Sequence, residues 1–122
     1  MKTYTIVLAT RLKRRVFRAK NIPRDVQGLI SEYLDKNGIK ISQCKFYDYG
    51  FILSIECNDR KQAEKTAAGI RMATSKPIRS LYPELWQMPS LWNSKPLILE
   101  GGMSAENIKK AETYYDNLRT RS

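Results

Sequence analysis

The stretch Cys44-Lys-Phe-Tyr-Asp-Tyr-Gly-Phe-Ile-Leu-Ser-Ile-Glu-Cys57 decides the fold, because its pattern is that of a β-hairpin. Every second residue from Phe51 to Cys57 is apolar and the residues between them are mixed, which is the period of a half-buried strand. Asp48-Tyr49-Gly50 predicts a tight turn, in which Gly50 is free to take a positive φ. Ile39 to Phe46 supply the partner strand.

The remaining elements are predicted outward from this hairpin. Three local signals mark the boundaries of the helices: a Pro at the start of one helix, an Asn-Gly cap at its end, and a capping box before the next helix. The expected elements are a strand over Lys2 to Leu12, a helix from about Pro23 to Lys36 closed by Asn37-Gly38, and the hairpin. They continue with a helix capped by Asn58 or Asp59, where Asp59 and Gln62 have capping-box spacing, and a further turn over Pro77 to Leu81. A strand over Ser90 to Leu99 and a last helix capped by Ser104 complete the chain.

The order β-α-β-β-α-β-α predicts an α+β fold, a ferredoxin-like split αβ sandwich. Its antiparallel sheet carries helices on one face, and a C-terminal helix follows the Gly101-Gly102 joint, which is either a flexible pivot or a plain turn before the capped helix. We expect one domain over residues 1–122, in which residues 1–100 form the sandwich core and residues 101–122 the C-terminal helix.

Composition limits the class of partner. The 122 residues include 22 basic and 12 acidic side chains, a formal charge of +10, which favours a polyanion such as nucleic acid and, less often, an anionic membrane surface. No apolar run is long enough to span a membrane and no signal peptide is evident, so we expect no membrane partner. Two Cys without a secretory signal predict free thiols and a cytoplasmic location.

Basic residues cluster between the first strand and the first helix. Seven of the fourteen residues from Arg11 to Arg24 are basic and none is acidic, so nothing local neutralises them. The alternative is a solvated loop, but clustered charge is the usual footprint of phosphate binding. The residues predicted to bind nucleic acid are Arg11, Lys13, Arg14, Arg15, Arg18 and Lys20 here, with Arg71, Lys76 and Arg79 on the second helix.

The sequence contains no His. This removes the commonest general base and the commonest transition-metal ligand, and neither a Cys-x-x-Cys pair nor a phosphate-binding Gly-rich loop replaces it. We therefore expect no metal and no other cofactor.

Three motifs resemble one family. Arg79-Ser-Leu-Tyr-Pro-Glu-Leu85, then Leu91-Trp92, then Gly101-Gly-Met-Ser-Ala-Glu-Asn-Ile-Lys-Lys110 follow one another as they do in the HUH-class single-tyrosine transposases, the insertion-sequence 200-like family. The resemblance implies a dimer that recognises DNA hairpins. It also implies a His-x-His metal site on the hairpin, and a nucleophilic Tyr on the last helix with a polar metal ligand four residues later.

The residues at those chemical positions differ in this chain. Asp48 matches the Asp before the His-x-His, but the two His positions fall on Tyr49 and Phe51. The tyrosine position falls on Ala111 and the ligand position on Tyr115. The resemblance therefore predicts a catalytically inactive relative that binds hairpin or single-stranded DNA as a homodimer, or in mixed dimers with a related active transposase.

Several alternatives stay open. Tyr49 is either a stacking platform for bases or a packing residue, whereas Phe51 is expected to fill the core. Tyr114 or Tyr115 would be the nucleophile of a transposase or nickase whose cation is held by Asp48, Glu56 and Glu100. A third possibility is an RNA-binding or protein-interaction module. Core or interface packing is expected for Trp86 and Trp92.

Overall fold

The helices and strands follow one another along the chain in the predicted order. The computed structural model describes residues 2–11, 15–18, 21–85, 91–93 and 95–118. The elements are β1 (Lys2–Ala9), α1 (Asn21–Lys36), β2 (Lys40–Tyr47), β3 (Gly50–Cys57), α2 (Arg60–Leu81), β4 (Leu97–Glu100) and α3 (Ala105–Asp116), with short 3-10 turns at Val16–Arg18 and Pro83–Leu85.

The four strands form one antiparallel sheet in the order β2-β3-β1-β4. β1 pairs with β3 in a register that places Leu8 opposite Phe51, and with β4 in a register that places Ile6 opposite Ile98. α1 and α2 pack against each other on one face of this sheet. The predicted ferredoxin-like α+β arrangement is thereby confirmed.

The sheet is covered on both faces. Phe51 belongs to the core beneath α1 and α2, whereas Ile52 faces the opposite way and is buried with Ala111 and Tyr115 of α3. Ser54, which the alternation also assigned to solvent, is fully buried and its hydroxyl lies 2.9 Å from that of Thr5. The prediction of a half-buried strand is wrong, because α3 folds back over the second face.

Gly50 is required for a reason other than the predicted one. The turn is at Asp48 and Tyr49, and Gly50 opens β3 without a positive φ. A Cβ at this position would lie 2.2 Å from the Leu8 carbonyl oxygen and 2.9 Å from the Tyr115 hydroxyl. Only glycine therefore lets β1, β3 and α3 approach so closely.

The predicted helix boundaries are confirmed. Gly38 ends α1 at φ 65°, the left-handed conformation that glycine adopts without strain. The Asp59 carboxylate accepts a hydrogen bond from the Gln62 amide, and the Gln62 side chain accepts one from the amide of Asn58. These bonds satisfy the first free amides of α2, which continues through Pro77 to Leu81.

The predicted strand over Ser90 to Leu99 is wrong for most of its length. β4 begins only at Leu97, and Ser90 and Trp86 lie outside the described residues. Trp92 makes a single bridge to Thr10 and otherwise fills the core, with its indole N–H donating to the Thr74 hydroxyl at 2.7 Å. Core packing of Trp92 is therefore confirmed.

Gly101-Gly102 forms a hydrogen-bonded turn, which is one of the two possibilities that the sequence left open. Gly101 takes φ 86°, its amide donates to Thr3, and its carbonyl accepts from the Thr5 hydroxyl. The Asn107 side chain donates to the carbonyls of Glu100 and Gly102, both at 2.8 Å. These bonds fix the direction in which α3 leaves β4.

Two expectations from composition can be compared with the structure. Cys44 and Cys57 are both free thiols, as predicted. Across the described ranges, no helix combines the length and the apolar character needed to cross a membrane.

Candidate nucleic-acid interface

One end of the sheet carries several of the described residues that the sequence assigned to nucleic acid. We call it the turn end: β1 stops there, β2 turns into β3 there, and α1 begins there. The Thr10 amide donates to the Tyr49 carbonyl and the Phe17 amide donates to the Asp48 carbonyl, both at 2.8 Å. The chain that carries the basic residues is thereby bonded to the hairpin turn.

Arg11 and Arg15 lie at the turn end with exposed side chains. Between Arg15 and α1, Phe17 is buried and packs edge-on against Phe46 at 5.5 Å and Trp92 at 5.6 Å between ring centroids. This aromatic anchor holds the backbone of the segment, while the side chains of Arg11 and Arg15 face solvent. Arg18 belongs to the anchoring 3-10 turn, and Lys13, Arg14 and Lys20 lie outside the described residues.

The predicted basic residues of α2 approach the same end. The Arg11 amide donates to the Leu91 carbonyl, and the Leu91 amide donates to the Ser75 hydroxyl of α2. Arg71 and Arg79 stand one helical turn on either side of Ser75, and the Arg79 Nε donates to the Ser75 carbonyl at 3.3 Å.

The two arginines differ from Lys76 in exposure. Lys76 is exposed, whereas Arg71 and Arg79 are half-buried. The Nε of Arg71 is buried and has no hydrogen-bond partner among the described residues. Because a buried donor without a partner is costly, this Nε–H is a candidate to donate to an acceptor group of a bound ligand.

Tyr49 and Phe51 do not share a site. Phe51 is fully buried on the α1 and α2 side, with its ring centroid 5.4 Å from that of Trp92. Tyr49 lies in the turn on the other side, 4.9 Å from the ring of Tyr115. The strand positions that do face α3 are Gly50 and Ile52, and neither offers a metal ligand.

Tyr115 is a structural residue in this fold. It is 1% exposed, and its hydroxyl donates toward the carbonyl oxygens of Leu8 at 2.9 Å and Phe51 at 3.1 Å. Burial raises the pKa of Tyr115 far above its ordinary value. Ala111, one helical turn earlier in α3, is fully buried in the same cluster as Tyr115, against the sheet. A phosphodiester has no access to the Tyr115 oxygen.

Tyr114 is more accessible. It is half-buried, and its hydroxyl donates to the Lys95 carbonyl. Desolvation raises the pKa of Tyr114, and this effect is opposed by a hydrogen bond with the Asn93 side chain and by the positive charge of Arg71. Tyr114 therefore stays protonated near neutral pH but has a cation beside it.

The three carboxylates considered for a cation do not meet. Asp48 is in the turn, and Glu56 lies about 20 Å away at the other end of β3, given about 3.3 Å per residue. Glu56 and Glu100 lie opposite Thr3 and Tyr4 of β1. In the described part of the chain, no group of three or more Cys, Asp or Glu side chains is placed to hold a metal ion.

Sequence reasoning missed two features of the turn end. Tyr47 stacks beside Tyr49, with ring centroids 6.0 Å apart and planes 11° from parallel. No sequence signal gave this pairing, because it depends on the strand register, in which Tyr47 lies opposite Gly50. The second feature is the hydrogen bond from the Tyr82 hydroxyl to the Asp25 carboxylate, which joins the start of α1 to the end of α2.

Solved transposase structures share this fold. The crystal structure of a "putative transposase" from Deinococcus radiodurans R1 superimposes with a TM-score of 0.85 over 98% of this chain and 92% of that chain, at 16% sequence identity. The structure of a REP-associated tyrosine transposase bound to a REP hairpin has a TM-score of 0.62 over 91% of this chain and 62% of that chain, at 5% identity. No family model and no curated protein matches the sequence. The chain has the fold of transposase structures, as its motifs predicted.

Proposed function

We propose that this chain is a cytoplasmic DNA-binding protein of transposase-like fold, which binds hairpin or single-stranded DNA at the turn end and does not cut it. The observation that carries the proposal is a backbone link between two basic regions. The Arg11 amide donates to the Leu91 carbonyl, and the Leu91 amide donates to the Ser75 hydroxyl of α2, the helix that carries Arg71, Lys76 and Arg79. One of the structural neighbours is itself bound to a DNA hairpin, which supports a DNA partner.

The absence of cutting is supported by the chemistry of the former active positions. Phe51 and Ala111 have no lone pair to offer, and the Tyr115 hydroxyl is bound inside the fold. A tyrosine nucleophile depends on a cation to stabilise the developing phosphate charge, and no His is present to hold one. These positions support binding without cleavage.

The alternative is a transposase or nickase that uses Tyr114. The observation in its favour is the Arg71 charge beside this half-buried hydroxyl. The expected signature is a covalent protein–DNA adduct formed with Mn²⁺ and lost on Tyr114→Phe. Tyr115 is a poorer candidate because its oxygen is buried.

We further propose a homodimer. β4 is an edge strand of only four residues, and an open groove of about 490 Å³ lies between it and α3. Leu97, Leu99 and Tyr114 contribute apolar lining to this groove. A second copy, or a related active transposase in a mixed dimer, would cover both features. Light scattering at micromolar concentration tests this, and a monomer mass would refute it.

The salt dependence of DNA binding tests the proposed interface. We would titrate a labelled DNA hairpin with a single-stranded flank at several KCl concentrations, using wild type and the Arg11→Ala/Arg15→Ala double variant. If both arginines contact phosphates, the slope of log K against log salt falls in magnitude by about 1.4 to 1.8.

A matched double variant controls for net charge. Lys36→Ala/Arg60→Ala removes the same charge at the opposite end of α1 and α2, where these residues pair with Glu32 and Glu64. Its slope should stay close to that of wild type. Equal slopes for all three proteins would refute the interface, and tighter binding to an RNA hairpin of the same sequence would favour an RNA-binding module instead.

A further inference from the structure

The turn end carries an aromatic surface next to its charges. We call the side chains of Tyr47 and Tyr49 the tyrosine platform. The two rings are nearly parallel, at 11°, with centroids 6.0 Å apart, and both side chains are partly exposed. The Lys45 ammonium lies 5.1 Å from the Tyr47 ring centroid. Partly exposed, aligned aromatic rings with a neighbouring cation are the usual surface on which unpaired bases stack.

Tyr115 of α3 supports the platform by contacting both of its rings. Tyr115 meets Tyr47 at 5.4 Å and Tyr49 at 4.9 Å, in both cases edge-to-face. Tyr115 is itself fixed by its hydroxyl, which donates to backbone carbonyls of β1 and β3. A stacking surface built on a fixed support loses little conformational entropy when a ligand binds. The platform is therefore preorganised for a flat ligand.

The charges around the platform favour a base over a phosphate. Burial is the largest cause that raises the pKa of Tyr49. The negative charges of ionised Tyr47 and of the carboxylates Asp116, Asp48 and Glu112 raise it further. The negative charge beside Tyr49 repels a phosphate but tolerates the face of a neutral aromatic ring, whereas the Lys45 ammonium lies at the Tyr47 ring. Phosphates are therefore expected on Arg11 and Arg15, and a base on the platform.

The two surfaces are joined by a direct bond. The Asp48 carbonyl accepts a hydrogen bond from the Phe17 amide, so the platform turn is bonded to the chain two residues after Arg15. A nucleic acid strand whose phosphates contact Arg15 would lie close to the turn that carries Tyr49. We propose that Tyr47 and Tyr49 form a stacking site for one unpaired nucleobase of the strand that leaves a hairpin stem. This inference rests on the proposed DNA-binding function.

An abasic scan of the flank tests the site without changing the protein. Fluorescence anisotropy would compare labelled hairpins that carry an intact single-stranded flank, a flank with one abasic position moved along it, or no flank. Wild type should lose about 5- to 100-fold in affinity at one abasic position and when the flank is absent. Equal affinity for every flanked hairpin would overturn the stacking site.

Variants locate the site on the platform. Tyr49→Leu should weaken binding of the intact flanked hairpin to the level of the abasic one. The affinity of this variant should no longer depend on the abasic position. Tyr49→Trp should keep both the affinity and the response. Tyr33→Leu, which changes a half-buried Tyr of α1 outside the turn end, is the matched control and should behave as wild type.

The outcomes separate the two proposals. Binding of all hairpins by Tyr49→Leu as tightly as by wild type would overturn the stacking site and leave the basic interface in place. Failure of wild type to bind any hairpin, flanked or not, would overturn the proposed function and the stacking site with it.

Discussion

The sharpest prediction concerns Tyr115. The transposase resemblance implies a metal ligand at this position, but here the position holds a buried packing residue. Replacing it with Phe removes only the hydroxyl, whose hydrogen bonds to Leu8 and Phe51 measure 2.9 and 3.1 Å. A typical intramolecular hydrogen bond contributes about 1 kcal/mol net, so Tyr115→Phe should lower the free energy of unfolding by about 0.5 to 1.5 kcal/mol.

Tyr115→Ala removes the whole ring as well. The side chain is 1% exposed, and truncation of a large buried aromatic costs about 3 to 5 kcal/mol. The edge-to-face contacts with Tyr47 and Tyr49, each worth about 0.5 to 1.5 kcal/mol, are lost at the same time. Since the free energy of unfolding of a domain of this size is about 5 to 15 kcal/mol, the Tyr115→Ala variant should be close to unfolded at 37 °C.

Urea unfolding followed by circular dichroism measures both values. Tyr115→Phe should shift the midpoint slightly and keep wild-type affinity for a DNA hairpin, because the hydroxyl takes no part in binding. The reasoning would be refuted by a Phe variant that folds normally but loses DNA binding, or by an Ala variant that is destabilised by less than about 1 kcal/mol.

Three further predictions concern residues around the hairpin. Tyr47→Phe should leave the free energy of unfolding unchanged or raise it by up to about 1 kcal/mol in urea unfolding, because the Tyr47 hydroxyl is buried with no hydrogen-bond partner among the described residues; a loss above 1 kcal/mol would show a partner. Gly50→Ala should abolish cooperative unfolding, because its Cβ would lie 2.2 Å from the Leu8 carbonyl oxygen, and a wild-type melting curve would contradict this. Burial raises the pKa of Cys44 to about 11, so its neutral thiol stabilises the fold below about pH 9 and this contribution, up to about 3 kcal/mol, is lost as the pH rises toward 11. Cys44→Ala should lose that part of the alkaline decline in stability, and an identical decline in both proteins would count against it.

The sequence predicted most of the architecture because its signals there are local. The alternation after Phe51, the Gly38 cap and the capping box at Asp59 depend on near neighbours, and each lies where it was expected. The covering of the second sheet face was not predicted. It depends on the direction in which α3 leaves β4, which is set by the bonds of Asn107 across the Gly101 turn.

The site was predicted in part for the same reason. The clustering of charge near Arg11 is visible along the chain, but the approach of α2 to it depends on the long-range bonds of Leu91. The assignment of Phe51 to the core followed from alternation alone. The pairing of Tyr47 with Tyr49 across the hairpin turn required the strand register, in which Tyr47 lies opposite Gly50.

The most direct test of binding without cleavage uses one reaction loaded on two gels. Wild type is incubated with a labelled, single-strand-flanked DNA hairpin in the presence and absence of Mn²⁺ and then resolved on a native and a denaturing gel. The account predicts a shifted complex on the native gel with or without metal, and intact, unattached DNA on the denaturing gel. A cleaved strand or a covalent adduct that disappears with Tyr114→Phe would contradict it, and so would the absence of any shifted complex.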